Sequence, residues 1–243
     1  KTHTLWVGTG EVNSSRSSYA GTGIYITNDT GKTWTHKGLD ESHHIGRIVL
    51  HPSNPNIAWV AVLGHLYTAN TERGIYKTLD GGNTWSKTLY IDDTTGCVDL
   101  LIDPNSPEIL YATSWSRTRV AWNFNGSGEG SGIYKSTDGG DHWTLITDGK
   151  NGIPIGKGTG RIGISICKKN PSILYALLDN QNNQEEKKDE VKKMNAKDLS
   201  VMSKEKFLSM DKKLIQEYLE SNGYPEKYSA DSVITAVKNN VLQ

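Results

Sequence analysis

The chain has 243 residues, with 27 Lys+Arg balanced by 27 Asp+Glu and only two cysteines. That length suits one sizeable domain or one and a half. The balanced charge supplies no field to draw nucleic acid or an anionic membrane, and no apolar run is long enough for a transmembrane helix. The expected partners are therefore a protein, peptide or glycan ligand, with no metal and no cofactor. Cys97 and Cys167 read as small buried hydrophobes rather than as a disulfide pair.

In chain order, the first element is the short apolar strand Leu5-Trp6-Val7. The chain opens inside this strand pattern, as removal of a signal peptide would leave it. Next comes Gly23-Ile24-Tyr25-Ile26-Thr27-Asn28-Asp29-Thr30-Gly31-Lys32-Thr33-Trp34, which returns in near-copy at residues 74–85 and 132–143. The shared pattern, Gly-Ile-Tyr-x-Ser/Thr-x-Asp-x-Gly-x-x-Trp, describes a strand, a tight turn and the start of another strand. Carboxylates bond nearby backbone N–H groups and glycine tolerates positive φ, so the middle of each copy is a turn. Asp29, Asp80 and Asp138 read as structural staples of these turns. Trp34, Trp85 and Trp143 read as anchors between neighbouring sheets, each burying about 150–250 Å². Recurrence at about fifty residues is the period of a propeller or solenoid array.

Between these copies lies a second repeated element, of paired apolar runs joined by Pro/Asn turns. Residues 45–50 lead through Pro52 and Pro55 into 57–62, residues 97–102 lead through Pro104 and Pro107 into 109–113, and residues 161–166 lead through Pro171 into 173–177. Each pair is a strand hairpin. A full repeat thus supplies four strands, the composition of a propeller blade. Residues 4–38 hold three strands of one blade, 45–90 and 97–147 a complete blade each, and 161–179 two strands of another. The fold class is all-β, an incomplete β-propeller of about three and a quarter blades with a C-terminal α-helical insertion. The expected domains are residues 1–179, the partial propeller, and 180–243, a charged linker followed by a helical hairpin.

In the tail, Gln181 to Lys193 is almost wholly polar, a solvated linker or frayed helix start. Ser203 looks like an N-cap for one helix carrying Phe207, Leu208, Leu214, Ile215, Tyr218 and Leu219 and ending at Gly223. A second helix is expected from about Ser229, with Val233, Ile234 and Val237 on its apolar side. The expectation is a decoration that packs one stripe on the propeller.

Connections after the first and third strands of a blade are tight, whereas those after the second and fourth are long and rich in reactive side chains. Alternate connections leave a blade at the same rim, so the long ones share a face opposite the repeated Asp turns, and function is expected there. Its ligand-contact candidates are Arg16, Arg47, Trp115, Arg117, Arg119 and Trp122, since aromatic planes beside guanidinium groups suit sugars, carboxylates and extended peptide. Aligning the inner strands on their prolines makes Arg47 and Asp99 equivalent and keeps Arg161 on the same strand face. The three form either a charged ring at the channel mouth or a structural Arg–Asp network. Glu11, Glu41 and Glu72 are the carboxylates open to acid–base catalysis. No metal-ligand spacing accompanies the histidines.

The turn with Asp29, Asp80 or Asp138 is the Asp box of bacterial neuraminidase repeats. Together with Trp6-Val7-Gly8-Thr9-Gly10-Glu11, Arg16, His44-Ile45-Gly46-Arg47-Ile48 and Gly64-His65-Leu66, it resembles large bacterial proteins of the sortilin-like repeat family, many labelled "glycosyl hydrolase". The resemblance covers residues 1–179 and implies a larger, exported propeller at the bacterial surface, in the periplasm or secreted. Sortilin-type propellers bind peptides and proteins, which implies a protein- or glycan-recognition module rather than an enzyme. The alternative is a sialidase- or xyloglucanase-like glycoside hydrolase. Sialidases need an arginine triad and a Tyr nucleophile with an acidic partner, and no residues here match those motifs.

Overall fold

The computed structural model describes residues 3–182 and 195–241. They fall into two compact units, within residues 1–183 and 184–243. The first is an incomplete β-propeller. Its opening sheet has three antiparallel strands, β1 (Leu5–Gly8), β2 (Ile24–Thr27) and β3 (Thr35–His36). A four-stranded blade follows in the order β4 (Ile45–Leu50), β5 (Ala58–Val62), β6 (Gly74–Thr78), β7 (Ser86–Leu89). The next blade is built from β8 (Thr95–Ile102), β9 (Leu110–Ser116), β12 (Gly132–Ser136) and β13 (Thr144–Leu145). Between its second and third strands the chain inserts a hairpin, β10 (Thr118–Val120) and β11 (Asn123–Asn125), where the sequence predicts a loop. A last pair, β14 (Thr159–Ile166) and β15 (Leu174–Asn180), begins a fourth sheet.

The core lies between blades. Side chains alternate across a strand, so each central strand feeds two layers. Val60 and Val62 of β5 pack with Ile24, Ile26 and Ile45 toward the opening sheet. Trp59 and Ala61 of the same strand pack with Cys97, Leu100, Leu110 and Ala112 toward the following blade. Being buried on both faces explains why β5 reads as an unbroken apolar run. Both cysteines are free, Cys97 deep in this layer.

The inner strands share an irregularity. Register breaks between Ile45 and Arg47 in β4, between Cys97 and Asp99 in β8, and between Thr159 and Ile162 in β14. Such bulges bend a strand and re-aim its side chains. At the first break a Cβ on Gly46 would sit 2.3 Å from the carbonyl oxygen of Val98, so the close approach of β4 and β8 requires glycine there.

Each Asp box closes alike. Asp29 accepts from Thr33 N at 2.9 Å and Thr33 Oγ1 at 2.6 Å, while Thr27 Oγ1 donates to it at 2.7 Å. Asp80 and Asp138 repeat this with Thr78, Thr84, Ser136 and His142. Donation from Thr33 and Thr84, strongest from their side chains, holds the Asp29 and Asp80 carboxyls near 2 against a usual 3.8. A carboxyl depressed in the folded state stabilises fully above its unfolded value, and that contribution fades as pH falls toward the folded one. We expect the melting temperature to drop between about pH 4 and pH 2, and an Asp29→Asn/Asp80→Asn double variant to show a shallower drop. Parallel curves would mean the boxes do not set acid stability.

The tryptophans of the boxes diverge. Trp85 Nε1 donates to Lys37 O at 2.7 Å and its ring meets Trp6 edge-on, so it is anchored in the preceding sheet. Trp143 Nε1 reaches Thr88 Oγ1 of the preceding blade at 3.2 Å. Trp34 Nε1 donates to Gly31 O of its own turn and the ring is 43% exposed, where burial between sheets was expected.

Among the described residues, the second unit holds four helices, α1 (Ala196–Ser200), α2 (Lys204–Leu208), α3 (Lys212–Ser221) and α4 (Ala230–Lys238). Ser203 caps α2 as expected, and Ser229, near which the second helix was expected to start, caps α4. The single helix expected after Ser203 is two, because Asp211 caps a fresh N-terminus by accepting from Lys213 N. Ile215, Leu219 and Ala230 make a small core with Phe207, Met210, Val233 and Ile234. The polar run expected as a linker lies almost wholly outside the described residues.

Candidate functional site

The long connections of the propeller unit converge on one rim. Residues 9–23, 37–44, 63–73 and 117–131 bond to one another rather than standing apart. Tyr67 Oη donates to Arg16 O at 2.8 Å, Gly21 N to His43 O at 2.6 Å, and Arg119 Nε to Ser14 O at 2.7 Å.

Beneath the rim lies an aromatic and cationic layer. Trp115, next to last in β9, is buried against Leu63 and Val98 and donates from Nε1 to Gly126 O at 2.7 Å. The guanidinium groups of Arg117 and Arg161 lie 5.8 and 5.5 Å from its ring centroid. Arg161 NH1 also donates to Val12 O. Trp115 and Arg117 are therefore interior groups, not surface contacts. Arg73, whose function sequence reading did not single out, is pinned by the carbonyls of Leu63, His65 and Thr68. Arg117 is 2% exposed and donates only weakly, from NH2 to Gly64 O at 3.4 Å. Among the described residues its Nε and NH1 find no acceptor. Burial first, then the fields of Arg73 and Arg119, pulls its guanidinium down to about 9. Burial, aided by Arg117 and His43, likewise takes the His44 imidazole down to about 4, so it is neutral near pH 7.

Above this layer stands the β10–β11 hairpin. Arg119 spans its base, bonded to Ser14 O and stacked 4.5 Å over Phe124, and Trp122 at the tip is 84% exposed. The sequence signal for the hairpin was there: two alternating triplets around Ala121-Trp122.

The inner-strand charges divide. Asp99 Oδ1 accepts from Arg47 Nε at 2.9 Å, and its Oδ2 accepts from the backbone N–H of Ile164 at 3.1 Å. One carboxylate thereby joins β4, β8 and β14. Arg161 sits inside the β14 register break and turns to Trp115 instead. Arg47 keeps a half-exposed side chain.

Two of the candidate acids are neighbours, since Asn70 Nδ2 donates both to Glu72 Oε2 and to Glu41 O, each at 3.3 Å. Glu11 is exposed, and its backbone N–H bonds Tyr19 O. Glu72 is held by Thr71 Oγ1 and Asn70 Nδ2; burial pushes its carboxyl up, but these bonds outweigh it and leave a net lowering, the wrong direction for a proton donor. Glu41 faces two histidines, with His65 Nε2 at 3.2 Å and His43 Nε2 at 3.8 Å from its Oε2.

Among known proteins, the family model Sortilin-Vps10 (Sortilin, neurotensin receptor 3) matches residues 5–237. No curated protein matches. An ancestral GH74 enzyme is similar in fold, with TM-score 0.50 and 17% identity, over 70% of this chain and 22% of that one. The GH74 xyloglucanase of Xanthomonas campestris gives 0.47 and 16%, over 74% and 24%. A structure of YCF48 bound to D1 peptide gives 0.34 and 16%, over 72% and 62%. The chain spans about a fifth of the GH74 enzyme's length. No described helix is long and apolar enough to cross a membrane.

Proposed function

We propose, from the premise that this chain belongs to the Sortilin-Vps10 family, that it is part of a larger exported propeller that recognises a protein, peptide or glycan ligand through its long-loop rim. The carrying observation is the β10–β11 hairpin, which presents Trp122 at 84% exposure on a base rigidified by Arg119. An exposed indole on a braced support is a binding anchor, because little conformational freedom remains to be lost on contact. Arg16, Arg47 and Arg119 supply donors for carboxylate or hydroxyl groups around it, and the Arg73–Arg117 layer adds positive potential from below. Trp115 and Arg117 act as support, and Asp99 and Arg161 hold the inner strands and the rim in register. In this reading residues 1–179 carry recognition and 180–243 are an insertion.

Glycan arrays and displayed peptide libraries probed with this chain test the reading. A bound ligand should lose roughly thirtyfold in affinity with Trp122→Ala, with an unchanged melting temperature, because the side chain supports no core. Binding that ignores Trp122 would overturn it. Release of sugars from xyloglucan or sialylated glycans, abolished by Glu11→Gln, Glu41→Gln or Glu72→Gln, would make the protein a hydrolase instead.

A further inference from the structure

Two histidines and a glutamate meet on the long-loop rim, Glu41 and His43 from one loop and His65 from the next. The rings of His43 and His65 are stacked, with centroids 3.7 Å apart and planes 20° from parallel. Both turn their Nε2 edge toward the same oxygen, Glu41 Oε2, at 3.8 and 3.2 Å. One ligand atom from each of the three lies within 4.8 Å of the others.

From this convergence we propose that Glu41, His43 and His65 bind a divalent cation of the zinc class. Two imidazole nitrogens and a carboxylate are a borderline-soft donor set that suits zinc, whereas magnesium and calcium prefer oxygen throughout. The lone pairs of stacked imidazoles lie in nearly parallel planes, so holding one ion between them requires one ring to rotate out of the stack while its nitrogen stays beside Glu41. The site is open to solvent on one side, since the Glu41 side chain is 66% exposed, which leaves positions for water or a ligand atom.

The surroundings hold the three donors in place. His65 Nδ1 lies 2.9 Å from Thr68 Oγ1, which can accept its proton and leave the lone pair on Nε2, the outer-shell arrangement usual for metal-bound histidine. Asn70 clamps the two contributing loops together: its Oδ1 accepts from His65 N at 2.9 Å and its Nδ2 donates to Glu41 O at 3.3 Å. The tight turn at Asp40–Ser42 is flanked by Leu39 and His43 at φ of +62° and +50°, left-handed conformations that non-glycine residues adopt at a cost. A Cβ on Gly10 would lie 1.9 Å from His43 O, so the neighbouring loop is shaped to fit against that turn. Such bracing of one exposed carboxylate and two half-buried imidazoles exceeds what an ion pair between solvated side chains needs.

The test is a titration of this chain with Zn²⁺, and with Co²⁺ for its visible absorption, followed by calorimetry and melting. One ion per chain is expected, with a rise in melting temperature on zinc addition. His43→Ala and His65→Ala should each abolish that stoichiometric binding, Thr68→Val should weaken it roughly tenfold, and His142→Ala should leave it intact. Glu41→Gln, at an exposed side chain, keeps the test decisive if a histidine variant misfolds. Absence of stoichiometric binding, or binding equal in the Glu41, His43 and His65 variants, overturns the proposal. The outcome is independent of Trp122, so this site and the recognition reading can fail separately.

Discussion

Replacing Trp59 by alanine should lower the unfolding free energy of the propeller unit by about 3–5 kcal/mol, the usual range for deleting a buried aromatic side chain. Trp59 is 1% exposed, faces Leu100, Leu110 and Ala112 across the gap between two blades, and donates from Nε1 to Gly139 O at 2.8 Å. Gly139 belongs to an Asp-box turn, so this bond ties the second strand of one blade to the turn of the next. Alanine would leave both a void and a carbonyl without its donor. Urea denaturation should show a lower midpoint with an unchanged slope. Trp59→Phe should recover most of the packing and lose about 1 kcal/mol for the missing hydrogen bond. A loss below about 1 kcal/mol for the alanine variant would show that the inter-blade layer does not depend on this side chain.

Asp99→Ala should cost about 2–3 kcal/mol. The substitution strands the buried N–H of Ile164 and removes the partner of Arg47. The half-exposed Arg47 can turn to water, so the orphaned amide dominates the loss. Asp99→Asn retains one acceptor oxygen and should lose less. The same pair of variants separates the two readings of the inner-strand charges. A destabilised chain whose ligand binding survives under native conditions makes Asp99 a tie between blades. An unchanged midpoint with lost binding makes it part of a ligand-facing ring.

The blades were legible in the sequence because their signals are local. Alternating apolar runs, proline turns and the Asp boxes each lie within about a dozen residues, and the strands form where those patterns stand. Burial was not local. The boxes at Trp34, Trp85 and Trp143 look alike, yet Trp34 is exposed while the other two reach the preceding sheet, since burial depends on the neighbour rather than on the motif. The most deeply packed tryptophan, Trp59, carries no motif at all. Arg117 and Trp115 looked like rim contacts for the same reason: a loop's composition does not say which of its side chains turn inward. The meeting of Glu41 and His43 with His65 was equally hidden, because two separate loops bring them together and no spacing along the chain encodes it.

The bond from Ile164 N to Asp99 has one more consequence, which concerns how such a chain can change over generations. Every residue except proline offers the same amide, so the receiving carboxylate makes no demand on the side chain of the neighbouring sheet. A duplicated, deleted or exchanged repeat could be accepted at that joint without a matching second substitution. A different sheet can therefore follow Asp99 without a matching substitution, whereas a repeat with arginine at that position, as at Arg47, could not receive the amide.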